Sequence, residues 1–155
     1  MNMGFTADPT LVLDFLRTFS RLEYSLKVTR FRQPGDGEAR ANWKKFVAEI
    51  SPHFNPDSSP ELASAYRYLT HNPPRTLAVK DGAVSWVAYV SKVGSGGDEA
   101  VWIIKQVRNN LFHGGKFAID PTANPQRDGE LLRAGKVLLS YLVSIVPEVE
   151  RAFQQ

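Results

Sequence analysis

The segment GELLRAGKVLLSYLVSIVP, Gly129 to Pro147, carries apolar side chains at helical spacing along two stripes. A helix with two apolar stripes is expected to be buried on more than one side. Pro147 is expected to kink or end this helix, because proline cannot donate the backbone hydrogen bond of a helix interior. The stripes consist of Leu131, Leu138, Leu142 and Ile145 on one side and Leu132, Leu139 and Val146 on the other.

Four further segments have helical spacing of their apolar residues. The first is a long amphipathic helix that starts at Asp8 and Pro9, an N-cap and a first-turn proline, and ends before the loop RQPGDGEAR. The glycine-rich GSGGD before the fourth lacks the lysine and hydroxyl residue of a nucleotide loop, so Asp98 is predicted as an N-cap. The other three predicted helices run from about Ala39 to Ile50, from Pro60 to Leu69 and from Asp98 to Phe112.

The stretch between the third and fourth helices has a period of two. Leu77 and Val79 alternate with small or polar residues before Asp81 and Gly82, and Val84 and Trp86 alternate after them. Asp-Gly is a favoured two-residue hairpin turn. A small β-hairpin at about residues 76–90 is therefore predicted. Because an isolated hairpin is unstable in water, it is expected to pack on the helices or on a partner.

Composition limits the classes of protein that remain. A chain of 155 residues with 43% apolar content fits a single domain spanning 1–155. It has no cysteine, which excludes disulfides, thiolate nucleophiles and thiolate zinc sites. Three histidines far apart give no metal-ligand spacing, so neither a metal ion nor a cofactor is expected. The N-terminus lacks the pattern of a signal peptide and no apolar run reaches membrane-spanning length, so we expect a cytoplasmic protein with no membrane partner.

The net charge of +3 is mild, but basic residues are concentrated in the first two predicted helices. The ordinary interpretation of such a cluster is a solvated helical surface, and an electrostatic surface for nucleic acid is the alternative. Between Asp14 and Lys45 the basic residues are Arg17, Arg21, Lys27, Arg30, Arg32, Arg40, Lys44 and Lys45.

The stretch VRNNLFHGGK, Val107 to Lys116, contains the residues with the most chemistry. Arg108 and His113 are five residues apart and point about 140° away from each other on an ideal helix. They can act on one atom only if the helix breaks or a second copy supplies one of them. The ordinary interpretation is a helix C-terminus, where cationic side chains meet the dipole and two glycines form a cap.

The residues RNNLFHGG at 108–115 resemble the signature of the HEPN superfamily, an arginine and a polar residue followed by a histidine late in a helix of a small bundle. Arg108, Asn109 and His113 match the signature position by position. The context is similar as well, with a long amphipathic helix early and a long apolar helix last. The resemblance implies a mainly α, HEPN-like helical bundle of four to five helices with a small inserted β-hairpin.

The resemblance also implies an activity. Many HEPN proteins are metal-independent endoribonucleases, including toxins of toxin–antitoxin systems and anti-phage effectors, and they are typically dimers with facing motifs. His113 would transfer the proton of a 2′-hydroxyl or of the leaving 5′-oxygen. Arg108 would hold the phosphate, and Asn109 would orient the imidazole or bind the backbone. The expected partners are RNA, a second copy and an antitoxin protein, with RNA gripped by Lys116, Arg17, Arg21 and Lys27.

A homodimer is expected from two features, the apolar excess on the C-terminal helix and the divergent directions of Arg108 and His113. One departure from the resemblance is Gly115, which stands where one HEPN branch has a tyrosine that a partner enzyme modifies. The alternative function is a non-catalytic dimeric module that binds RNA, a nucleotide or a partner protein.

Overall fold

The computed structural model describes residues 7–88, 96–112 and 124–155. These residues form a mainly helical protein with one two-stranded hairpin, as predicted, although the described helices number six. None of them is both long enough and apolar enough to cross a membrane. The elements are α1 (Pro9–Lys27), α2 (Trp43–Ile50), a short 3-10 helix (Ser51–His53), α3 (Pro60–His71), β1 (Thr76–Lys80), β2 (Ala83–Val87), α4 (Gly96–Phe112), α5 (Pro125–Ile145) and α6 (Pro147–Gln154).

Local capping moves several predicted helix starts. Helix α2 begins at Trp43 rather than Ala39, because Ala41 forms an antiparallel bridge with Arg32 and the Asn42 side chain accepts the Lys45 N–H at 3.0 Å. Helix α5 begins at Pro125 rather than Gly129, because Asn124 caps it in the same way. Helix α4 begins at Gly96, so the prediction of Asp98 as its N-cap is wrong.

The core is built around α5, which packs against α1, α3, α4 and α6. Both of its predicted apolar stripes are covered, and Leu138, Leu139 and Leu142 are fully buried. Burial on more than one side is therefore confirmed. Since these side chains are covered within a single chain, the apolar excess of this helix gives no reason to expect a dimer.

Pro147 ends the helix, as predicted. Helix α5 stops at Ile145, Val146 is extended with φ −113° and ψ 108°, and α6 starts at Pro147. The break lets α6 fold back against α1 and α5, where Val149 is fully buried.

The hairpin has the predicted turn. Asp81 and Gly82 have φ values of 52° and 77°, which match the two left-handed positions of a type I′ turn. Its base is tied to the helices, because Asn110 Nδ2 donates to the Arg75 carbonyl at 2.9 Å and the Arg127 guanidinium donates to the Pro73 carbonyl at 3.0 Å.

The two strands place their larger apolar side chains on one face, where Val79 pairs with Val84 and Leu77 pairs with Trp86. Val79 and Val84 are 72% and 64% exposed. The expectation that the hairpin packs on the helices therefore holds at its base, whereas Val79 and Val84 are not covered by the described residues. Packing of the hairpin on a partner stays a prediction. The predicted extension to residue 90 reaches beyond the described residues.

Candidate functional site

Arg108 lies half-buried on the last third of α4, where its guanidinium is held by uncharged groups. The guanidinium carbon is 4.5 Å from the centroid of the Phe112 ring and 5.7 Å from that of Phe19 on α1. Its NH1 donates to Asn109 Oδ1 at 3.0 Å. Arg108 makes no ion pair with a carboxylate among the described residues. The cation is thus positioned by π faces and an amide, which leave its charge available to an anion.

Lys105 brings a second cation to the same place. It lies one turn before Arg108 on α4, and its Nζ is 5.3 Å from the centroid of the Trp43 ring on α2. Burial lowers the pKa of Lys105, the charge of Arg108 lowers it further, and the carboxylate of Glu23 on α1 opposes both. Positive charge is therefore concentrated where α1, α2 and α4 meet.

A groove of about 460 Å³ runs between α2 and α4 beside these cations. Asn109 connects it to Arg108, because Asn109 both lines the groove and accepts the hydrogen bond of the guanidinium. We call it the α2–α4 groove. Its lining residues are Trp43, Lys44, Val47, Asp98, Val101, Trp102, Lys105, Gln106 and Asn109.

The predicted RNA-binding residues of α1 do not share one surface. Lys27 lies on the side of Glu23, with its Nζ 3.8 Å from the Glu23 carboxylate. Arg21 points toward α6, where its guanidinium donates to the Phe153 carbonyl at 2.8 Å and so satisfies the last turn of that helix. Arg21 and Lys27 are about 120° apart around α1. Arg17, one turn before Arg21, is exposed.

Two of the predicted site residues, His113 and Lys116, lie outside the described residues. Helix α4 continues through Phe112, so the backbone is helical from Arg108 to the residue before His113. The structure therefore gives the contacts of two motif residues, Arg108 and Asn109. It also shows that Lys105 lies beside Arg108 on the same helix.

Neither of the other two histidines is among the residues that line the groove. His71 Nδ1 lies 2.8 Å from the Arg67 carbonyl at the end of α3, and His53 is exposed in the 3-10 helix. Within residues 7–88, 96–112 and 124–155, no three His, Asp or Glu side chains are close enough to hold a metal ion.

Trp102, Gln106 and Asn109 recur at helical spacing on α4, and all three line the groove. Sequence reasoning missed Trp43 and the role of Lys105. The spacing of Lys105 and Arg108 on one helix was a signal for their proximity. The contact with Trp43 joins residues far apart in sequence and had no local signal.

Compared with protein-family models, with curated proteins and with solved structures, the chain gives no match. The candidate site therefore depends on the geometry of Arg108, Asn109 and Lys105 and on the sequence that follows them.

Proposed function

We propose that this protein is a metal-independent endoribonuclease of HEPN type, acting in the cytoplasm on RNA. The observation that supports it best is the environment of Arg108. Its guanidinium is half-buried, oriented by Phe112 and Asn109, and makes no ion pair with a carboxylate among the described residues. A carboxylate partner would neutralise the guanidinium, whereas a phosphate-binding arginine must keep its charge available.

The proposed reaction is an in-line attack by the ribose 2′-oxygen on the adjacent phosphorus. The bond from phosphorus to the 5′-oxygen breaks, and the products are a 2′,3′-cyclic phosphate and a free 5′-hydroxyl. His113 accepts the proton of the 2′-hydroxyl or supplies the one that the 5′-oxygen takes up. Arg108 binds the phosphate and stabilises the charge that develops on its oxygens. DNA has no 2′-hydroxyl and is not a substrate.

A dimer completes this site. Arg108 and His113 point about 140° apart on an ideal helix, so the arginine of one subunit would act with the histidine of the other. By the resemblance to HEPN proteins, the biological role we propose is that of a toxin or anti-phage effector, with an antitoxin protein as a further partner.

The first test compares RNA cleavage by wild type and by Arg108→Ala, His113→Ala and Asn109→Ala. Loss of the proton-transfer group should slow cleavage by roughly a hundred- to ten-thousand-fold, and loss of the arginine by roughly a hundredfold. The matched controls are Arg67→Ala on α3 and His53→Ala, both exposed and outside the groove. Melting temperatures measured on the same samples separate lost chemistry from lost folding.

The second test mixes subunits. Purified Arg108→Ala and His113→Ala chains are each inactive if the proposal holds, and each mixed dimer regains one intact composite site. Random exchange in equal amounts should restore about one quarter of wild-type activity, because half of the dimers are mixed and each has one of two sites. Sedimentation should give twice the mass of 17.3 kDa.

Undiminished cleavage by Arg108→Ala and by His113→Ala would refute the proposed chemistry. RNA binding by wild type without any cleavage would instead assign the chain to the non-catalytic class of module. Full activity of a strict monomer would refute the composite site.

A further inference from the structure

The α2–α4 groove combines the three kinds of group that bind single-stranded nucleic acid: aromatic faces, cations and amides. Trp43 and Trp102 supply the indole rings, and Lys44 and Lys105 supply the ammonium groups. At its end nearest Arg108 the groove has two amide side chains, Gln106 and Asn109.

The aromatic floor of the groove is held in place by the core. The Trp43 ring stacks on Phe19 with centroids 5.7 Å apart and meets Phe46 edge-on at 6.3 Å. Phe46 is fully buried, so Trp43 is fixed from below. Trp102, on α4, is half-buried and lines the other side.

The charges of the groove favour an anion. Lys44 is exposed, and Lys105 is half-buried with the like charge of Arg108 beside it. The acidic groups facing the same region are Glu23 on α1, which also pairs with Lys27, and Asp98 at the far end of the groove. A bound phosphate would relieve the repulsion between the two cations on α4.

The amides present complementary groups. Gln106 Nε2 donates to Asn110 Oδ1 at 2.8 Å, which leaves the Gln106 carbonyl oxygen to accept. Asn109 Oδ1 accepts from Arg108, which leaves its amide nitrogen to donate. An acceptor and a donor one turn apart fit the edge of a nucleobase, which has both kinds of group.

We propose that the α2–α4 groove binds one nucleotide of single-stranded RNA next to the phosphate held by Arg108. The base lies against Trp102 and meets Gln106 and Asn109, and its phosphate lies between Lys44 and Lys105. That the phosphate at Arg108 is the one cleaved rests on the proposed function. The groove adds to that activity a subsite for the neighbouring nucleotide.

The test is binding of a fluorescent 2′-O-methyl oligoribonucleotide, which the proposed reaction cannot cleave, to the full chain. A base stacked on an aromatic ring contributes about 1–3 kcal/mol, so Trp102→Ala should weaken binding by roughly 5- to 150-fold. Trp102→Phe keeps an aromatic face and should weaken binding much less. Lys44→Gln and Lys105→Gln should each weaken binding, and the double variant should reduce the slope of log affinity against log salt by about 0.7, because the two lysines share one phosphate. Arg67→Gln is the matched control and should leave both affinity and slope unchanged.

Lys44 is exposed, so its variant is expected to fold and keeps the test valid even if Trp102→Ala does not. Unchanged affinity and salt slope in Lys44→Gln and Lys105→Gln would overturn the proposal, and so would wild-type affinity in a folded Trp102→Ala variant. A second outcome would also overturn it. If the groove substitutions convert a dimer to monomers and these monomers bind RNA with wild-type affinity, the groove is a subunit interface.

The outcome is separable from that of the proposed function. The 2′-O-methyl probe cannot undergo the proposed reaction, so its binding measures the groove apart from the proton transfer assigned to His113. If His113→Ala and Arg108→Ala cleave RNA normally while the groove variants lose affinity, the chemistry is refuted and the groove is supported. If cleavage needs both motif residues while the groove variants bind normally, the groove is refuted alone.

Discussion

Two glycines of α5 allow the same substitution to be made in opposite environments. A Cβ added at Gly135 would lie 2.9 Å from Cε2 of Phe15, a buried ring of α1. A Cβ added at Gly129 would lie 3.4 Å from the flexible end of the Arg133 side chain and 3.8 Å from Leu11. We therefore expect Gly135→Ala to destabilise the protein and Gly129→Ala to stabilise it.

The magnitudes follow from two terms. Replacing glycine by alanine inside a helix favours folding by roughly 0.8–1 kcal/mol, and this gain is common to both positions. At Gly135 the new methyl group overlaps a ring that is 1% exposed and closely packed, and overpacking of this kind costs roughly 1–3 kcal/mol. The expected net change is a gain of up to about 1 kcal/mol for Gly129→Ala and a loss of about 0–2 kcal/mol for Gly135→Ala.

The assay is urea unfolding of both variants and wild type, followed by the far-ultraviolet helical signal. The two variants should differ by about 1–3 kcal/mol, or by a few degrees of melting temperature for a chain of this size. The double variant Gly135→Ala, Phe15→Leu should recover part of the loss, because the smaller side chain removes the overlap. Equal stabilisation by both single substitutions would refute the close approach of α1 and α5 at Gly135.

Three further predictions concern pH, packing and metal. Burial raises the pKa of Tyr68 from 10.0 to about 12, and the hydrogen bond to Glu130 adds to this shift. The stability that the protonated Tyr68 contributes is therefore fully present below pH 10 and is lost as the pH rises toward 12. Tyr68→Phe should remove this part of the alkaline decrease in the urea midpoint. Leu138→Ala should cost about 2–5 kcal/mol because the side chain is fully buried, whereas Val79→Thr should change stability by less than about 0.5 kcal/mol because Val79 is 72% exposed. RNA cleavage should be unchanged by EDTA, since the proposed chemistry uses Arg108 and a histidine; loss of activity that a divalent ion restores would assign the chemistry to other groups.

Much of the fold could be predicted from local patterns. The apolar stripes of α5, the proline that ends it and the Asp-Gly turn each act over a few residues, so their signals lie in contiguous sequence. Helix starts were less predictable: the N-cap of α2 is Asn42, and the bridge of Ala41 with Arg32 removed the preceding residues from the helix.

The candidate site also has a part that local sequence predicts and a part that it does not. Arg108 and Asn109 were identifiable from a short motif, since neighbouring residues on one helix need no tertiary information to be placed together. The contact of Arg21 with α6 was not identifiable in this way, because the Phe153 carbonyl that it bonds is more than a hundred residues away in sequence.

The sequence by itself determined that this protein is a helical bundle with a hairpin, because helical and strand periodicities and turn residues are properties of adjacent positions. Only the tertiary structure decided what covers each surface. It placed Trp43 beneath Lys105 and the Phe19 ring beside Arg108, and it left Val79 and Val84 of the hairpin exposed. These contacts depend on the packing of whole helices, in which burial and shape act between residues that are distant along the chain.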